Sequence, residues 1–202
     1  MISYAIEAAK KSRVFEHIVV STDDREIADT AESFGAEIFR MRPKELADDF
    51  TGTFQVTQSE VNYLDGIGIR SDYVCTIYAT VPLIRAEDIK NCLDKMTSEG
   101  MEHAYTMCSY PFPIWRSCYI RDQHPIPVWP ENMPKRSQDL PEAFHDAGQF
   151  YWDSYSSIVT GKPDANGSET LAYLLPRSHV VDIDTIEDWE TAEIMYRVIN
   201  HV

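Results

Sequence analysis

Segments whose apolar residues recur at helical spacing alternate with short β-branched runs along most of this chain, and that alternation is the tightest limit on its fold. Residues 2 to 13 place Ile2, Ala5, Ile6 and Ala9 on one helical face, and HIVVST follows as a strand-like run. In DDREIADTAESFG the residues Ile27, Ala28, Ala31 and Phe34 share a face that stops at Gly35, after which AEIF reads as a short strand. The order continues with a helix over roughly 53 to 65, a strand YVCTIY, a helix over roughly 86 to 98 and a strand HAYTMCS. Strands and helices taking turns predict an α/β fold, a doubly wound, mainly parallel sheet with helices on both faces.

From about 110 to 147 the pattern breaks into YPFPIW and HPIPVWPENMP. Proline lacks the N–H that a ladder needs, so these pieces cannot be central strands and are expected to leave the sheet as a lid or a subunit contact. Regularity returns with GQFYWD, LAYLLP and HVVDID. A last helix follows, carrying Ile186, Trp189, Ala192 and Met195, with Thr185 and Asp188 spaced as a capping box at its start. No repeat, low-complexity tract or linker divides the 202 residues, so one domain spanning 1–202 is expected. The chain opens on a helix, whereas a βαβ architecture starts with a strand whose following loop binds phosphates. The usual first strand is therefore expected to be absent from the chain.

The balance of 18 basic against 33 acidic residues, a formal charge of -15, opposes nucleic acid and anionic membranes as partners. An anionic small molecule would need local cations, helix N-termini or a metal ion. With no apolar stretch of the ~20 residues that span a bilayer and no signal-like N-terminus, a cytoplasmic protein is expected. Cys75, Cys92, Cys108 and Cys118 lack CxxC spacing and sit mostly in apolar runs, which favours buried thiols over redox or zinc chemistry.

Five stretches carry candidate chemistry. In VVDIDTIEDW, side chains at i and i+2 of a strand share a face, so Asp182 and Asp184 can reach one site. Mg²⁺ takes one or two carboxylates plus phosphates and waters, which this pair would suit; equally, Asp184 can simply begin the helix, and spacing does not choose between them. Ser21, Thr22 and Asp23 of STDDREIA stand where a strand runs out at the ligand-collecting edge of a sheet, and helix capping is their favoured role. Arg42 of RPKELADDFTGT, with the hydroxyls of Thr51 and Thr53 near a helix start, suits a phosphate or a base carbonyl. Without other support, a solvated arginine paired to a local acid explains Arg42 better. IYATVPLI places Tyr78 and Thr80 at the edge the aspartates occupy, or merely in a strand-end turn. KRSQDLPEAFHDAGQFYW gathers Lys135, Arg136, Gln138, His145, Asp146, Gln149 and Tyr151, the mixture of cations and hydrogen-bonding groups that an acidic sugar requires. His145 alone would read as a surface or capping histidine.

Together, STDDREIA, RPKELADD, IYATVP, HDAGQFYW and VDIDTIEDW resemble the cytidylyltransferases that activate nine-carbon acidic sugars, the CMP-sialic acid synthetase family. IYATVP and HDAGQFYW are similar to its pseudaminic acid branch. The resemblance covers nearly the whole chain and implies a nucleotide-diphospho-sugar transferase-like fold, a homodimer, and Mg²⁺-dependent transfer of CMP from CTP to the sugar with release of pyrophosphate. Such products feed cell-surface glycans, as in lipopolysaccharide biosynthesis or flagellin glycosylation. By position, Asp182 and Asp184 match the family's metal pair, and Arg42, Thr51, Thr53 and Ser21 fall on the CTP side. Tyr78, Thr80, Arg136, Gln138, His145, Asp146, Gln149 and Tyr151 fall on the sugar side.

One departure is plain: the family's initial strand, its A-R-x-G-S-K loop and the K-N pair that cradle the triphosphate have no counterpart in MISYAIEAA. A chain without those cations is expected to be weakly active or inactive, since one preorganised donor is worth about 3 to 4 kcal/mol. Two further readings share the motifs. One is a metal-dependent glycosyltransferase that uses the D-x-D pair on a nucleotide sugar; the other is a non-catalytic sugar-binding dimer that has lost the phosphate loop.

Overall fold

The apolar face of α1 (Ile2–Ser12), with Ala5, Ile6, Ala8 and Ala9 buried, packs against α4 (Ala86–Ser98), whose Ile89, Cys92 and Met96 are buried in turn. Both helices follow the predicted spacing, as does α3 (Thr53–Gly66). The computed structural model describes residues 1–161 and 167–201. Its main sheet contains β1 (Tyr73–Ile77), β2 (His103–Ser109), β5 (Phe144–Ser154) and β6 (Thr170–Leu174) in the order β1-β5-β2-β6. Three of these, β1, β2 and β6, run in one direction and β5 runs against them, pairing antiparallel with β1 and β2. The result is a mixed α/β fold with a sheet of predominantly parallel direction.

One sheet face closes on α1 and α4. Phe150 and Trp152 of β5, Ala104 of β2 and Leu171 of β6 meet Ile89, Cys92 and Met96 there. Trp152 stacks on Phe15 at 5.2 Å between centroids and donates from Nε1 to the Ile89 carbonyl at 3.2 Å, so its polar atom is satisfied inside the core. The four cysteines are free thiols, and burial pushes Cys92 up to about 12 and Cys75 well above its ordinary value, which leaves both unreactive.

The proline-rich excursion does stay out of the central sheet. It forms a separate hairpin of β3 (Cys118–Arg121) and β4 (His124–Pro127), and Pro125 and Pro127 sit in a two-stranded ladder where no second neighbour needs their missing N–H. Trp115 and Trp129 pack together at its base, 5.3 Å apart. Regular pairing resumes at Phe144, three residues before the expected end of the excursion at 147.

Three expected strands are not built as ladders. HIVVST and AEIF contribute a single parallel bridge, Val19 with Glu37, closed by Val20 N to Glu37 O at 3.0 Å and Glu37 N to Ile18 O at 2.7 Å. Neither run finds a second neighbour among the described residues, and pairing this short does not propagate. HVVDID is no strand: β6 ends at Leu174, a 3₁₀ turn over Arg177–His179 intervenes, and 180–184 joins no ladder among the described residues. The α2 helix (Arg25–Ser33) forms as expected and buries Ala28 and Ala31, but Ile27 and Phe34 stay 46% and 38% exposed. Only the alanine half of its predicted face meets a neighbour. The remaining helices are α5 (Tyr155–Thr160) and α6 (Ile186–Asn200).

Candidate functional site

The carboxyl ends of β1, β2 and β6 point to one edge of the sheet, and β5, running the other way, begins there with His145 and Asp146. Open α/β sheets collect ligands at this edge. A wide bulge shapes it: Tyr105 opposes Tyr151 and Met107 opposes Asp146, so residues 147–150 of β5 face Thr106 alone. Gly148 turns the chain there at φ 60°, a conformation glycine adopts without penalty. Thr106 Oγ1 bridges the bulge by donating to the Phe150 carbonyl at 2.8 Å.

Four predicted residues form one continuous line across this edge. The hydroxyls of Thr53, at the start of α3, and Tyr78, just past β1, lie 3.3 Å apart. The Tyr78 ring meets the Tyr151 ring edge-on at 5.6 Å, and Tyr151 donates its phenol proton to the Asp146 carboxylate at 2.8 and 2.9 Å. Burial first, and then the hydrogen bond to Asp146, hold the Tyr151 phenol far above its ordinary value, so it stays a protonated donor. His145 lies beside this line, its ring 4.8 Å from that of Tyr110. Its Nδ1 is 2.8 Å from the Asp146 carbonyl, which can only accept; Nδ1 therefore carries the proton. In the neutral ring Nε2 is left as an acceptor.

Ser21 and Arg42 form a second group. Arg42 donates from Nε to Ser21 Oγ at 3.2 Å and from Nη2 to the Ser21 carbonyl at 2.6 Å, while Ser21 Oγ donates to Glu60 on α3 at 3.1 Å. Arg42 has no carboxylate partner among the described residues, so the local ion pair weighed against its function is not formed. Glu60 is engaged by Arg40 instead, at 3.2 Å, and the Arg40 guanidinium lies 4.5 Å over the Tyr63 ring. Neither Ser21 nor Asp23 caps α2; Asp24 does, accepting from Glu26 N and Ile27 N. Thr22 Oγ1 assists by accepting from Asp24 N at 3.1 Å. Thr51 is held at the turn before α3, where Asp48 accepts from Phe50 N and Thr51 N, both at 2.7 Å. Those two backbone bonds lower the Asp48 carboxyl below its usual value.

Asp182 and Asp184 are both exposed, and the residues between and before them, Ile183 and Val181, are half-buried. That alternation puts the two carboxylates on the solvent side although no ladder holds the segment. The competing capping role is already filled. Thr185 is the N-cap of α6, its Oγ1 accepting from Asp188 N, and the Asp188 carboxylate accepts from Thr185 N at 2.8 Å. No described residue pairs with either aspartate side chain. Among the described residues no group of three or more His, Cys, Asp or Glu side chains could hold a metal alone. Two free carboxylates that leave the remaining positions to phosphate oxygens and water are the donor set Mg²⁺ accepts.

Other predicted residues stand apart. Arg136 and Gln138 belong to an exposed 3₁₀ turn, where Arg136 is paired with Asp139 at 2.7 Å, and no described contact ties them to the line from Thr53 to Asp146. Thr80 is exposed in the turn after β1. Gln149 is 1% exposed and closed to any sugar in this conformation; its amide donates to the His179 carbonyl and its own carbonyl accepts from Tyr78 N at 2.9 Å. Arg40, Glu60, Asp88 and His179 enter these contacts without a local signal. Their partners lie up to 91 residues away in the chain, and only the acid-rich LADDF hints at the Asp48 turn.

Two surface hollows differ in place: one lies away from this edge and one borders the aspartate segment at Ile183. One of about 390 Å³, lined by Asp72, Glu102, Ser154 and Ser156, opens at the amino ends of β1 and β2, opposite the edge described. The other, about 300 Å³, lies between α1 and α6 and is lined by Tyr4, Trp189, Tyr196 and Ile183. The edge that carries the Thr53–Asp146 line is the better candidate site, and the segment bearing Asp182 and Asp184 is tied to it through Gln149 and through Val180 packed with Ala147.

Residues 1–117 match the family model described as cytidylyltransferase. A pseudaminic acid cytidylyltransferase of Campylobacter jejuni is 35% identical over an alignment spanning 100% of this chain and 86% of that protein. The N-acylneuraminate cytidylyltransferase of Oncorhynchus mykiss is 26% identical across 96% of this chain and 43% of its own. Among solved structures, a CMP:2-keto-3-deoxy-manno-octonic acid synthetase complexed with CTP superposes with a TM-score of 0.67 at 14% identity, over 100% of this chain and 88% of that one.

Proposed function

The chain belongs to the cytidylyltransferase family, and from that premise we propose that it transfers CMP from CTP to a nine-carbon acidic sugar, pseudaminic acid, releasing pyrophosphate. One observation carries the reading at the site: Thr185 and Asp188 complete the α6 cap between themselves, leaving Asp182 and Asp184 exposed and without a side-chain partner among the described residues. These two carboxylates would hold Mg²⁺. A bound Mg²⁺ neutralises phosphate charge and orients the oxygens around it.

The other residues act by position. Arg42, its Nη1 without a described partner, and the hydroxyls of Thr51 and Thr53 face the nucleotide. Tyr78, Tyr151, Asp146 and His145 face the sugar, whose anomeric hydroxyl attacks the α-phosphorus in line. Phosphoryl transfer of this kind depends on positioning and charge stabilisation more than on covalent chemistry. Arg136 and Gln138 would join only if the excursion folds over the edge when the sugar binds, whereas Thr80 already stands in the turn after β1.

We also propose a homodimer formed through the hairpin, where Tyr119 and Ile120 are 67% and 72% exposed. Sedimentation equilibrium of the unaltered chain and of Ile120→Asp tests that assignment. No helix among the described residues is long and apolar enough to cross a membrane, and a cytoplasmic site is part of the proposal. Calorimetry with CTP and Mg²⁺, followed by pyrophosphate release on adding pseudaminic acid, tests the function. CTP binding and slow sugar-dependent release are expected, both lost in Asp182→Asn. A chain that binds neither ligand would overturn the assignment.

A further inference from the structure

The segment carrying Asp182 and Asp184 has to be held in place, yet among the described residues no ladder holds it. Side chains supply the anchors. His179, three residues before Asp182, places Nδ1 2.9 Å from Oδ2 of Asp88 on the first turn of α4. The two side chains are only 18% and 16% exposed, which makes this one of the more sheltered ion-pair contacts in the protein. The His179 carbonyl accepts from the Gln149 amide, which the β5 bulge turns inward. Gln149 is itself fixed by Tyr78 N, 2.9 Å from its carbonyl. Below the segment, Val180 packs on Cys108, Ala147 and Leu175, and Ile183 faces the hollow lined by Tyr4, Trp189 and Tyr196.

We infer that Asp88, His179 and Gln149 form a positioning clamp that sets Asp182 and Asp184 against the rest of the site, and that Gln149 serves this clamp in place of the sugar. The inference rests on the proposed metal role of the aspartates. Its physical basis is that a buried amide and a half-buried carboxylate, each with one described partner, fix both the backbone and the ring of His179. A segment held at its carbonyl and its side chain, with apolar residues pinned beneath, keeps its two exposed carboxylates at one separation. Displacements near 1 Å in such a constellation cost on the order of 100-fold in rate.

The test measures Mn²⁺ binding in the presence of CTP by the loss of the free-ion paramagnetic resonance signal, so it does not depend on turnover. The unaltered chain is compared with His179→Leu, His179→Asn, Asp88→Leu and Asp182→Asn. His179→Leu should weaken Mn²⁺ about 10- to 100-fold, the range found when groups supporting metal ligands are removed. His179→Asn, whose amide can donate to Asp88 from nearly the same place, should restore most of the affinity. A role in packing alone predicts equal losses in both variants, and equal losses, or none, overturn the clamp. Should His179→Leu fail to fold by urea titration, Asp88→Leu, which has no acceptor for His179, carries the same test: weaker Mn²⁺ binding supports the clamp and unchanged binding overturns it. If the unaltered chain binds no Mn²⁺ with CTP, or Asp182→Asn binds it equally well, the metal role falls and the clamp with it. If Asp182→Asn loses Mn²⁺ while His179→Leu keeps it, only the clamp falls.

Discussion

Thr185 and Asp188 close on each other at the start of α6: the Thr185 hydroxyl accepts from Asp188 N at 3.2 Å, and the Asp188 carboxylate accepts from Thr185 N at 2.8 Å. This reciprocal pair separates two jobs that the sequence runs together, starting a helix and presenting carboxylates to a ligand.

The separation is measurable. Thr185→Ala removes the N-cap acceptor and should cost about 1 kcal/mol, a fall in Tm of about 2–4 °C for a chain of this size. Asp182→Asn should leave Tm nearly unchanged, because no described residue pairs with that side chain, while abolishing metal-dependent turnover. Thermal melts and pyrophosphate assays on both variants check the pair of outcomes. A large Tm loss in Asp182→Asn would mean that its carboxylate serves the fold.

Tyr151→Phe removes the proton that Asp146 accepts at 2.8 Å and leaves the edge-on ring contact with Tyr78 in place. A hydrogen bond to a charged group is worth about 1.5–3 kcal/mol, so kcat/KM for the sugar should fall about 10- to 100-fold. KM for CTP should hardly change. Because burial and Asp146 both raise the Tyr151 phenol above its ordinary 10.0, the unaltered enzyme should show no Tyr151-dependent loss of activity up to that pH.

Acid should loosen two turns together. Asp48 is lowered from 3.8 by bonds from Phe50 N and Thr51 N, and Asp188 is lowered from the same value by the Thr185 hydroxyl and then its N–H. A carboxyl whose folded value is depressed stabilises the fold fully above 3.8, and that contribution disappears as pH falls through the lower folded value. Urea titrations from pH 5 downward should show stability falling with acid, with a shallower slope in Asp48→Asn and in Asp188→Asn. A slope unchanged in both variants would mean that other groups carry the acid sensitivity.

What the sequence made legible was local. Helical spacing placed α1, α3 and α4, and the S/T-x-x-D/E pattern placed the α6 cap, because each depends on residues within one or two turns. STDDR holds four polar residues in a row that can cap, and it is Asp24, with extended backbone at φ -96° and ψ 125°, whose side chain reaches Glu26 N and Ile27 N. HVVDID has the alternation of a strand, and the exposure of Asp182 and Asp184 follows it, yet its anchors are Gln149 and Asp88, 30 and 91 residues from His179. Gln149 read as a sugar ligand because it stands among polar residues; the β5 bulge that turns it inward depends on pairing with β2, which no local pattern reveals.

The core supplies the last prediction. Trp152 joins both sides of the main cluster, stacking on Phe15 and donating to the Ile89 carbonyl, with Cys92 in the same cluster. Trp152→Ala should cost about 3–5 kcal/mol through the cavity and the lost contacts, or about 6–20 °C in Tm. Burial that pushes Cys92 up to about 12 also shields it from iodoacetamide at pH 8. The unaltered protein should therefore leave Cys92 unlabelled without denaturant, and Trp152→Ala should label it measurably faster under the same conditions. Labelling of Cys92 in the unaltered chain at the rate of a free thiol would mean that the helix and sheet around Trp152 open far more readily than their packing implies.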